Sequence, residues 1–395
     1  MSTPKKTRDS SNSVQPTPKQ SGFRMPAEWE PHAATFLAWP HKRGDWPGKA
    51  DAIPWVFAEM ARELSRVERV RVLVRDAKEQ RLGVSVFGRA GVELSRVDWL
   101  KADTNRSWTR DSLPNFVVQD AVAGTRAKAS ERRAFRSASA SRRVGAVKWR
   151  FDGWNRYPDH DLDDAAGIHV AETCASIAWY PEVTIRGRRR RITLEGGSID
   201  VDGQGTLLTT EECLLTGKRA RHRALGRAGS EKLLGEYLGI SKVIWLSDGI
   251  AGDDTSGHID DFARFVKPRV VVVCREPRRT DPNHQRLAKA AEILRSARDA
   301  QNRKLEVIPL PMPEPVTYGG VQLPASYANF YIANGLVLVP TFNDAKDREA
   351  LGILAEIFDD RRVVGIHARD LVLGLGTLHC STQQEPAGAP LTTRR

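Results

Sequence analysis

The chain has 395 residues, with 61 Lys and Arg against 49 Asp and Glu, and a formal net charge of +12. Its 40% hydrophobic and 28% charged residues describe a soluble globular protein with an ample core. It contains no run of about 18 apolar residues, and its N-terminus lacks the apolar centre of a signal peptide. We therefore exclude a membrane-spanning or exported protein and expect a cytoplasmic one.

The elements predicted along the chain alternate between helices and strands. Residues 1–22 are polar and are predicted to form a disordered tail, and residues 387–395 form a C-terminal tail. Between them, apolar residues at three- and four-residue spacing predict helices, and short apolar runs predict strands. These segments are, in order, VFAEMARELSRVE (helix), RVRVLVR (strand), SEKLLGEYLG (helix), KVIWLS and RVVVVC (strands), NHQRLAKAAEILRSARDA (helix), LEVIPL and FYIANGLVLVP (strands), DAKDREALGILAEIF (helix) and RRVVGIH (strand). The alternation predicts an α/β fold, and no linker divides residues 23–386.

Two basic stretches interrupt this pattern. Residues 125–150 and the run RGRRRR at 186–191 carry much of the excess positive charge. Either stretch could contact nucleic acid, but neither has the interleaved aromatic residues of a surface that binds single strands. We interpret both as solvated loops and do not expect a nucleic-acid partner.

The four cysteines are widely separated, form no CxxC pair and accompany no export signal. This spacing argues against a disulfide framework and a structural zinc site. Cys213 and Cys274 adjoin apolar runs and are interpreted as core residues. Cys380 differs, because LGLGTLHCSTQQEP surrounds it with glycines and small polar residues that allow close approach of the backbone. It is a candidate reactive thiol.

Acidic residues concentrate in three other stretches. The stretch GDDTSGHIDDF at 252–262 places four aspartates beside His258, Asp111 precedes a proline and an apolar strand, and Glu195 is followed by two glycines. Crowded carboxylates raise one another's pKa values, so a metal, a cationic substrate or plain solvation must compensate them. Each residue alone is more often structural than catalytic.

A thiol, an imidazole and several carboxylates suit one metal-free reaction. The thiolate attacks an electrophilic carbon, the histidine moves protons, and the carboxylates hold a guanidinium. A metallohydrolase that uses His258, Asp254, Asp260 and His169 remains an alternative, although these residues lack the usual spacing of a ligand set. Activity that resists a chelator would exclude the metallohydrolase.

Six motifs in this order resemble the agmatine deiminase and bacterial peptidyl-arginine deiminase family, a branch of the guanidine-modifying pentein superfamily. The resemblance covers nearly all of residues 23–386. The motifs are MPAEWEPHAATFLAWP, SWTRDSLPNFVV, LEGGSIDVDGQGTLLTTEECLL, GDDTSGHIDDFARFV, PASYANFYIANGLVLVPTFND and GTLHCSTQQEP. The resemblance implies a single catalytic domain, a five-bladed α/β propeller built from ββαβ units around a pseudo-fivefold axis.

The same resemblance assigns roles to residues of this chain. It implies that Cys380 is the nucleophile, that His258 is the general acid and base, and that Asp111 and Asp260 grip the guanidinium. The other residues that it places in the pocket are Asp254, Glu195 and Trp108, the last as an apolar wall. No cofactor or metal is implied, and a homodimer is a reasonable expectation.

The implied reaction is hydrolysis of agmatine to N-carbamoylputrescine and ammonia through a covalent thiouronium on Cys380, a step towards putrescine and the polyamines. The sequence departs from the family in FDGWNRYPDHDLDD, where Asn155 and Arg156 replace glycines. An added arginine there would disfavour the distal ammonium of agmatine, so free or C-terminal peptidyl arginine is the alternative substrate. An alternative of another class is a catalytically retired deiminase scaffold that binds nucleic acid.

Overall fold

The computed structural model describes residues 15–120 and 142–388, and in them strands and helices alternate as predicted. The strands are β1 (His32–Ala38), β2 (Arg69–Val74), β3 (Val97–Lys101), β4 (Asn115–Gln119), β5 (Arg143–Val147), β6 (Ala178–Trp179), β7 (Glu182–Ile185), β8 (Arg188–Arg191), β9 (Asp200–Val201), β10 (Thr206–Thr210), β11 (Lys242–Leu246), β12 (Ala263–Lys267), β13 (Val270–Arg275), β14 (Glu306–Pro311), β15 (Thr317–Tyr318), β16 (Val321–Gln322), β17 (Tyr331–Ala333), β18 (Leu336–Thr341), β19 (Arg362–His367) and β20 (Gln383–Pro386). The longer helices are α1 (Ile53–Leu64), α2 (Ala77–Arg89), α3 (Asp161–Cys174), α4 (Gly226–Leu238), α5 (Asn283–Ser296) and α6 (Lys346–Ile357), and a single helical turn covers Thr109–Ser112.

Five sheets repeat one topology. In each, the middle strand pairs antiparallel with a first strand and parallel with a last strand, and a helix connects the parallel pair. The five sets, written as first, middle and last strand, are β20-β1-β2, β4-β5-β6, β9-β10-β11, β12-β13-β14 and β17-β18-β19. The chain therefore contains the five ββαβ units that the resemblance implies.

The first of these units is closed by the C-terminal end of the domain. Strand β20 pairs antiparallel with β1, with Thr35 opposite Gln384, so the two ends of the domain share one sheet. Strand β3 extends this sheet by parallel pairing with β2, after the helix α2. The pairing of β20 with β1 therefore completes the first unit with a strand from the C-terminal end of the domain.

The middle strands are buried on both faces. Val271, Val272 and Val273 of β13 are consecutive and all buried, although successive side chains of a strand point to opposite faces. Burial on both faces explains why β13 and β18 are nearly continuous apolar runs rather than alternating ones. The helices are amphipathic, and α1 buries Ile53 and Phe57, one turn apart.

The described parts of the two basic stretches that we predicted to be solvated loops contain strands instead. Of residues 125–150, those at 125–141 lie outside the described residues, and 143–147 form β5, which pairs with β4. The run RGRRRR forms the second half of a hairpin, in which β8 pairs with β7. Arg186 and Gly187 have φ angles of 51° and 75°, as a two-residue hairpin turn requires. The loop prediction is wrong for these residues because local pairing outweighs their charge.

The N-terminal segment contacts the domain earlier than expected. Residues 15–22 fell within the predicted tail, yet the backbone N–H of Lys19 donates to the carbonyl of Glu236 at 3.1 Å. The indole of Trp179 donates to the carbonyl of Pro16 at 2.8 Å. The domain thus starts by residue 15, and residues 1–14 and 389–395 lie outside the described residues. Within the described part of the chain, no helix is both long and apolar enough to cross a membrane.

Candidate active site

Each of the five units contributes a polar side chain from an equivalent place, the turn just before its first strand. The repeated topology thus gathers residues that are far apart in the sequence. In order of the units, they are Cys380 before β20, Asp111 before β4, Glu195 before β9, His258 and Asp260 before β12, and Asn329 before β17. The sequence analysis selected all of these except Asn329, which lies within the motif PASYANFYIANG.

A cavity of about 410 Å³ leads to this group of turns. Of the predicted site residues, Trp108, Asp111, Asp254 and Cys380 line it. The others, His258, Asp260 and Glu195, are at most 1% exposed and lie beside Asp111 and Cys380. Glu195, which the resemblance placed in the pocket lining, is therefore buried behind His258.

Carboxylates surround the imidazole of His258. Its Nδ1 lies 3.8 Å from Asp111 Oδ1 and 4.0 Å from Asp260 Oδ1, and its Nε2 lies 3.8 Å from Glu195 Oε2. Burial lowers the pKa of His258, but the charge of Asp111 and the side chains of Cys213 and Glu195 outweigh it and hold the pKa well above its usual value. At neutral pH, His258 is therefore an imidazolium that can donate a proton.

Several buried polar atoms of this group have no hydrogen-bond partner among the described residues. They include both ring nitrogens of His258, Oε2 of Glu195 and Oδ1 of Asp260. Buried polar atoms are almost always bonded in folded proteins. A planar group with several N–H donors would satisfy the carboxylate oxygens, which is the chemistry of a guanidinium.

Gly197 is the position that lets these groups meet. A Cβ atom there would lie 2.6 Å from His258 Nδ1, 3.0 Å from Asp111 Oδ1 and 3.1 Å from Asp260 Oδ2. Any side chain would therefore displace the imidazole or a carboxylate. The backbone N–H of Gly197 also donates to Asp111 Oδ1 at 3.0 Å. This close approach explains the glycine pair after Glu195.

Asp111 is fixed by a residue that sequence reasoning missed. The indole N–H of Trp154 donates to Asp111 Oδ2 at 2.8 Å, and burial raises the pKa of Asp111. Glu195 also has an unpredicted partner, because Arg221 Nε donates to its Oε1 at 3.0 Å. Burial would raise the pKa of Glu195, but Arg221 lowers it to about 2. Glu195 therefore remains a carboxylate behind His258.

The thiol of Cys380 lies among acceptors and one amide donor. The side chain of Asn329 donates from Nδ2 to the sulfur at 3.2 Å, and Asp260 Oδ2 is 3.7 Å from the sulfur. Burial and the charges of Asp260 and Asp261 raise the pKa of the thiol well above its usual value. At neutral pH, the thiol of the free protein is therefore protonated.

Asp254 lies at the mouth of the cavity, in contact with Arg156, the arginine that departs from the family pattern. The hydroxyl of Tyr157 donates to Asp254 Oδ2 at 2.5 Å, and Arg156 Nε lies 3.8 Å from the same oxygen. Burial raises the pKa of Asp254. The arginine that replaces a family glycine thus contacts a carboxylate of the cavity lining.

Potential metal ligands cluster only partly as the alternative prediction required. Among residues 15–120 and 142–388, two groups bring potential ligand atoms within 4.8 Å of one another, Glu195 with Cys213 and His258, and Asp260 with Asp261 and Cys380. His169 and Asp254 belong to neither group. The described residues therefore do not assemble the predicted set of His258, Asp254, Asp260 and His169.

Residues 24–386 match the family described as Porphyromonas-type peptidyl-arginine deiminase. The chain belongs to this family. The predictions of the family, of the α/β fold and of the enzyme class, a hydrolase acting on linear amidines, are thereby confirmed.

Individual relatives match over almost their whole length. The agmatine deiminase of Pseudomonas aeruginosa is 34% identical, with 94% of this chain and 97% of the relative covered. That of Medicago truncatula is 36% identical, with 94% and 98% covered. The structure of the Enterococcus faecalis agmatine deiminase has a TM-score of 0.80 at 30% identity, with 95% and 98% covered. The substrate-bound agmatine deiminase of C. jejuni has a TM-score of 0.76 at 25% identity, with 93% and 97% covered.

Proposed function

We propose that this protein hydrolyses the guanidinium group of agmatine to a ureido group, with release of ammonia. The observation that carries the proposal is the position of the Cys380 thiol in the lining of a cavity, beside the buried carboxylate of Asp260, which together with Asp111 flanks His258. A guanidinium is planar and always protonated, and it pairs bidentately with carboxylates. This accounts for an acidic site in a basic protein.

Binding prepares both reaction partners. Ion pairs with Asp111 and Asp260 fix the guanidinium and favour its cationic, more electrophilic form. The bound cation also offsets the carboxylate charges that keep the Cys380 thiol protonated, so its proton leaves to solvent as the substrate enters. The imidazolium of His258 further favours the thiolate.

Two half-reactions follow. The thiolate of Cys380 adds to the guanidinium carbon, and His258 gives its proton to the departing nitrogen, which leaves as ammonia. A thiouronium remains on the sulfur. Neutral His258 then takes a proton from water, the resulting hydroxide adds to the same carbon, and the carbon–sulfur bond breaks. The hydroxyl proton passes to solvent, and the ureido product, thiolate and imidazolium remain.

The charges at the cavity mouth support agmatine over arginine. Arg106 Nη2 pairs with Asp159 at 2.9 Å, and Lys42 contacts the same carboxylate, so both cations have a partner. Asp45 lies 3.7 Å from Arg106 through its Oδ1, but its Oδ2 has no hydrogen-bond partner among the described residues, and Asp254 lines the same mouth. Acidic groups there attract the distal ammonium of agmatine rather than a carboxylate.

Incubation of the purified protein with agmatine, arginine and a peptide ending in arginine tests the proposal directly. We expect ammonia and a ureido product in equal amounts from agmatine, at a higher kcat/KM than from the other two. Activity should survive a chelator. Turnover of none of the three compounds would overturn the proposal, and a preference for arginine would replace its substrate.

The nucleophile is tested by substitution. Cys380→Ser should abolish turnover, because an alcohol is far less ionised than a thiol at neutral pH. Cys174→Ser, at a half-buried cysteine outside the cavity lining, serves as the control and should turn over normally. Mass spectrometry of the slowed reaction should find the adduct on Cys380. Activity in Cys380→Ser, or an adduct confined to another cysteine, would contradict the assignment.

A further inference from the structure

The residue before the thiol, His379, connects two buried carboxylates. Its Nδ1 lies 2.6 Å from Asp260 Oδ2, and its Nε2 lies 2.7 Å from Glu28 Oε2. The side chain is 2% exposed. Neither the thiol chemistry nor the resemblance gives this histidine a role.

The geometry determines which form of His379 satisfies both contacts. A carboxylate only accepts hydrogen bonds, so each ring nitrogen must carry a proton to bond its partner. Only the doubly protonated imidazolium has two N–H groups. In the form that satisfies both contacts, the ring places a positive charge between Asp260 and Glu28.

The surrounding charges balance this arrangement. Glu28 also accepts from Arg110 Nη2 at 3.2 Å and from Arg264 Nη2 at 2.9 Å. Arg264 in turn pairs with Asp200. Arg264 and Arg110, together with His379, hold the pKa of Glu28 well below its usual range, although burial opposes them. Glu28 is thus a permanent anion that anchors the imidazolium from its far side.

Two adjacent aspartates show what the contact with His379 does. Asp260 and Asp261 are both buried, and burial raises the pKa of each. The hydrogen bond and charge of His379 are the largest of the effects that reverse this at Asp260, followed by the charges of His258 and Arg264, so the pKa of Asp260 falls below the usual value. At Asp261 no such partner intervenes, and the charge of Asp260 raises the pKa well above its usual value.

The two carboxylate oxygens of Asp260 have different hydrogen-bond partners. Oδ2 accepts from His379 and from Asn329 Nδ2, at 2.6 and 3.3 Å. Oδ1 lies 4.0 Å from His258 Nδ1 and has no hydrogen-bond partner among the described residues. One oxygen is therefore anchored while the other stays free for a donor.

We propose that His379, anchored by Glu28, is a positioning residue that keeps Asp260 ionised and turned so that its Oδ1 accepts a hydrogen bond from the guanidinium. This inference rests on the proposed function for the identity of the ligand. The state of Asp260 itself can be measured without any ligand, so the two ideas fail separately.

The first arm of the test measures Asp260 in the free protein. Infrared difference spectra of His379→Gln against the parent should contain an additional carbonyl band of a protonated carboxylic acid at neutral pH, because the main cationic partner of Asp260 is gone. Groups whose pKa is already raised in the parent, such as Asp261, cancel in the difference. The additional band should be missing from the double variant His379→Gln/Asp260→Asn, and no such difference should separate the parent from Asp260→Asn. His284→Gln, at a histidine bonded to the carbonyl of Glu276, is the control. An unchanged spectrum in His379→Gln overturns the inference.

The second arm measures agmatine binding by calorimetry in the inactive Cys380→Ser protein. Adding His379→Gln should weaken binding about tenfold or more at pH 7 and move its acid limb up by about one pH unit. A merely structural loss would weaken binding equally at every pH. Combined with Asp260→Asn, the substitution should add little, since both act on one contact. Full additivity overturns the inference.

A second variant, His379→Asn, guards against a misleading result from one replacement. It should reproduce the acid carbonyl band and the shifted limb. If neither variant folds, His379 serves stability rather than the state of Asp260, and the inference fails. Absence of agmatine binding in Cys380→Ser itself would instead refute the proposed substrate and leave the infrared result decisive.

Discussion

In the free protein, Cys380 is a thiol and His258 is an imidazolium, whereas attack on the guanidinium carbon requires the thiolate of Cys380. The pKa values of both the Cys380 thiol and the His258 imidazole are raised well above their usual values. The carboxylate of Asp111 both stabilises the imidazolium of His258 and disfavours a thiolate at Cys380. Only a cation that enters between them can favour the thiolate without removing the proton from His258. The resting site therefore depends on its substrate for activation.

Matched alkylating reagents test this dependence. Chloroacetamidine is a cation and chloroacetamide is neutral, but both alkylate a thiolate. Because the raised pKa of Cys380 falls only when a cation offsets the carboxylates, inactivation by chloroacetamidine should reach half its maximal rate at a lower pH. Rates of inactivation across pH measure both midpoints, and Cys380→Ser should react with neither reagent at this site. Equal midpoints would mean that the thiolate forms before binding.

The carboxylates of Asp111 and Asp260, which we propose to bind the guanidinium, lead to a second prediction at single residues. Asp111→Asn and Asp260→Asn keep the shape but remove a charge that faces a cation. Each should cost about 2–5 kcal/mol of transition-state stabilisation, which lowers kcat/KM by about thirtyfold to several thousandfold. Asp359→Asn, at a largely exposed aspartate, is the control. A variant within a few-fold of the parent would make that aspartate merely structural.

At the scale of elements, the equivalent turns explain what the sequence could and could not predict. Periodicity predicted the α/β alternation, and motif resemblance predicted Cys380, His258 and the aspartates. Asn329 and His379 were missed because neither the amide nor the imidazole has a spacing within its motif that sets it apart from the neighbouring residues. Their roles depend on contacts across units, which appear only after the chain folds. The contact of Arg221 with Glu195 was not predicted for the same reason.

The segment that replaces the family glycines has a strained backbone. Gly153, Trp154 and Asn155 have consecutive φ angles of 68°, 58° and 54°, all in the left-handed region. Asn tolerates this region better than other residues with side chains, and glycine tolerates it freely. Asn155→Ala should therefore destabilise the protein by about 1 kcal/mol, and Asn155→Gly should leave stability nearly unchanged. Denaturant midpoints of both variants measure this, and equal stabilities would argue against strain at residue 155.

Arg156, in the same segment, tests substrate choice. It lies 3.8 Å from Asp254 and opposes the attraction of that carboxylate for an ammonium. Arg156→Gly, which restores the family residue, should lower KM for agmatine and raise it for arginine, with kcat for agmatine nearly constant. Steady-state kinetics with both substrates measure the change. If the ratio of the two kcat/KM values does not move, Arg156 has no part in selecting the distal group.

At the scale of the whole molecule, charge of opposite sign is separated. The site concentrates carboxylates at the turns of the five units, and the buried arginines Arg264 and Arg110 pair with the further buried carboxylates of Glu28 and Asp200. The hairpin β7–β8 presents Arg188, Arg189 and Arg190 to solvent. The net positive charge of the protein therefore does not predict the charge of its ligand, because the positive charge lies on the surface and the site itself is acidic.

Substitutions in the hairpin β7–β8 can distinguish a role of its basic surface in catalysis from a role in binding a polyanion. Replacing Arg188, Arg189 and Arg190 with Gln should leave kcat and KM for agmatine nearly unchanged at physiological salt, because exposed charges act over only about 8–10 Å. Arg191→Gln is the contrasting variant, since Arg191 pairs with Asp164 at 3.0 Å and donates to the carbonyl of Trp149 at 3.1 Å. Its loss should lower the free energy of unfolding by about 1–3 kcal/mol.

If the hairpin instead recruits a polyanion, the parent should bind RNA with an affinity that falls steeply as salt rises, and the triple variant should not bind. Loss of agmatine turnover in a folded triple variant would contradict both roles and place an exposed arginine of the hairpin at the site.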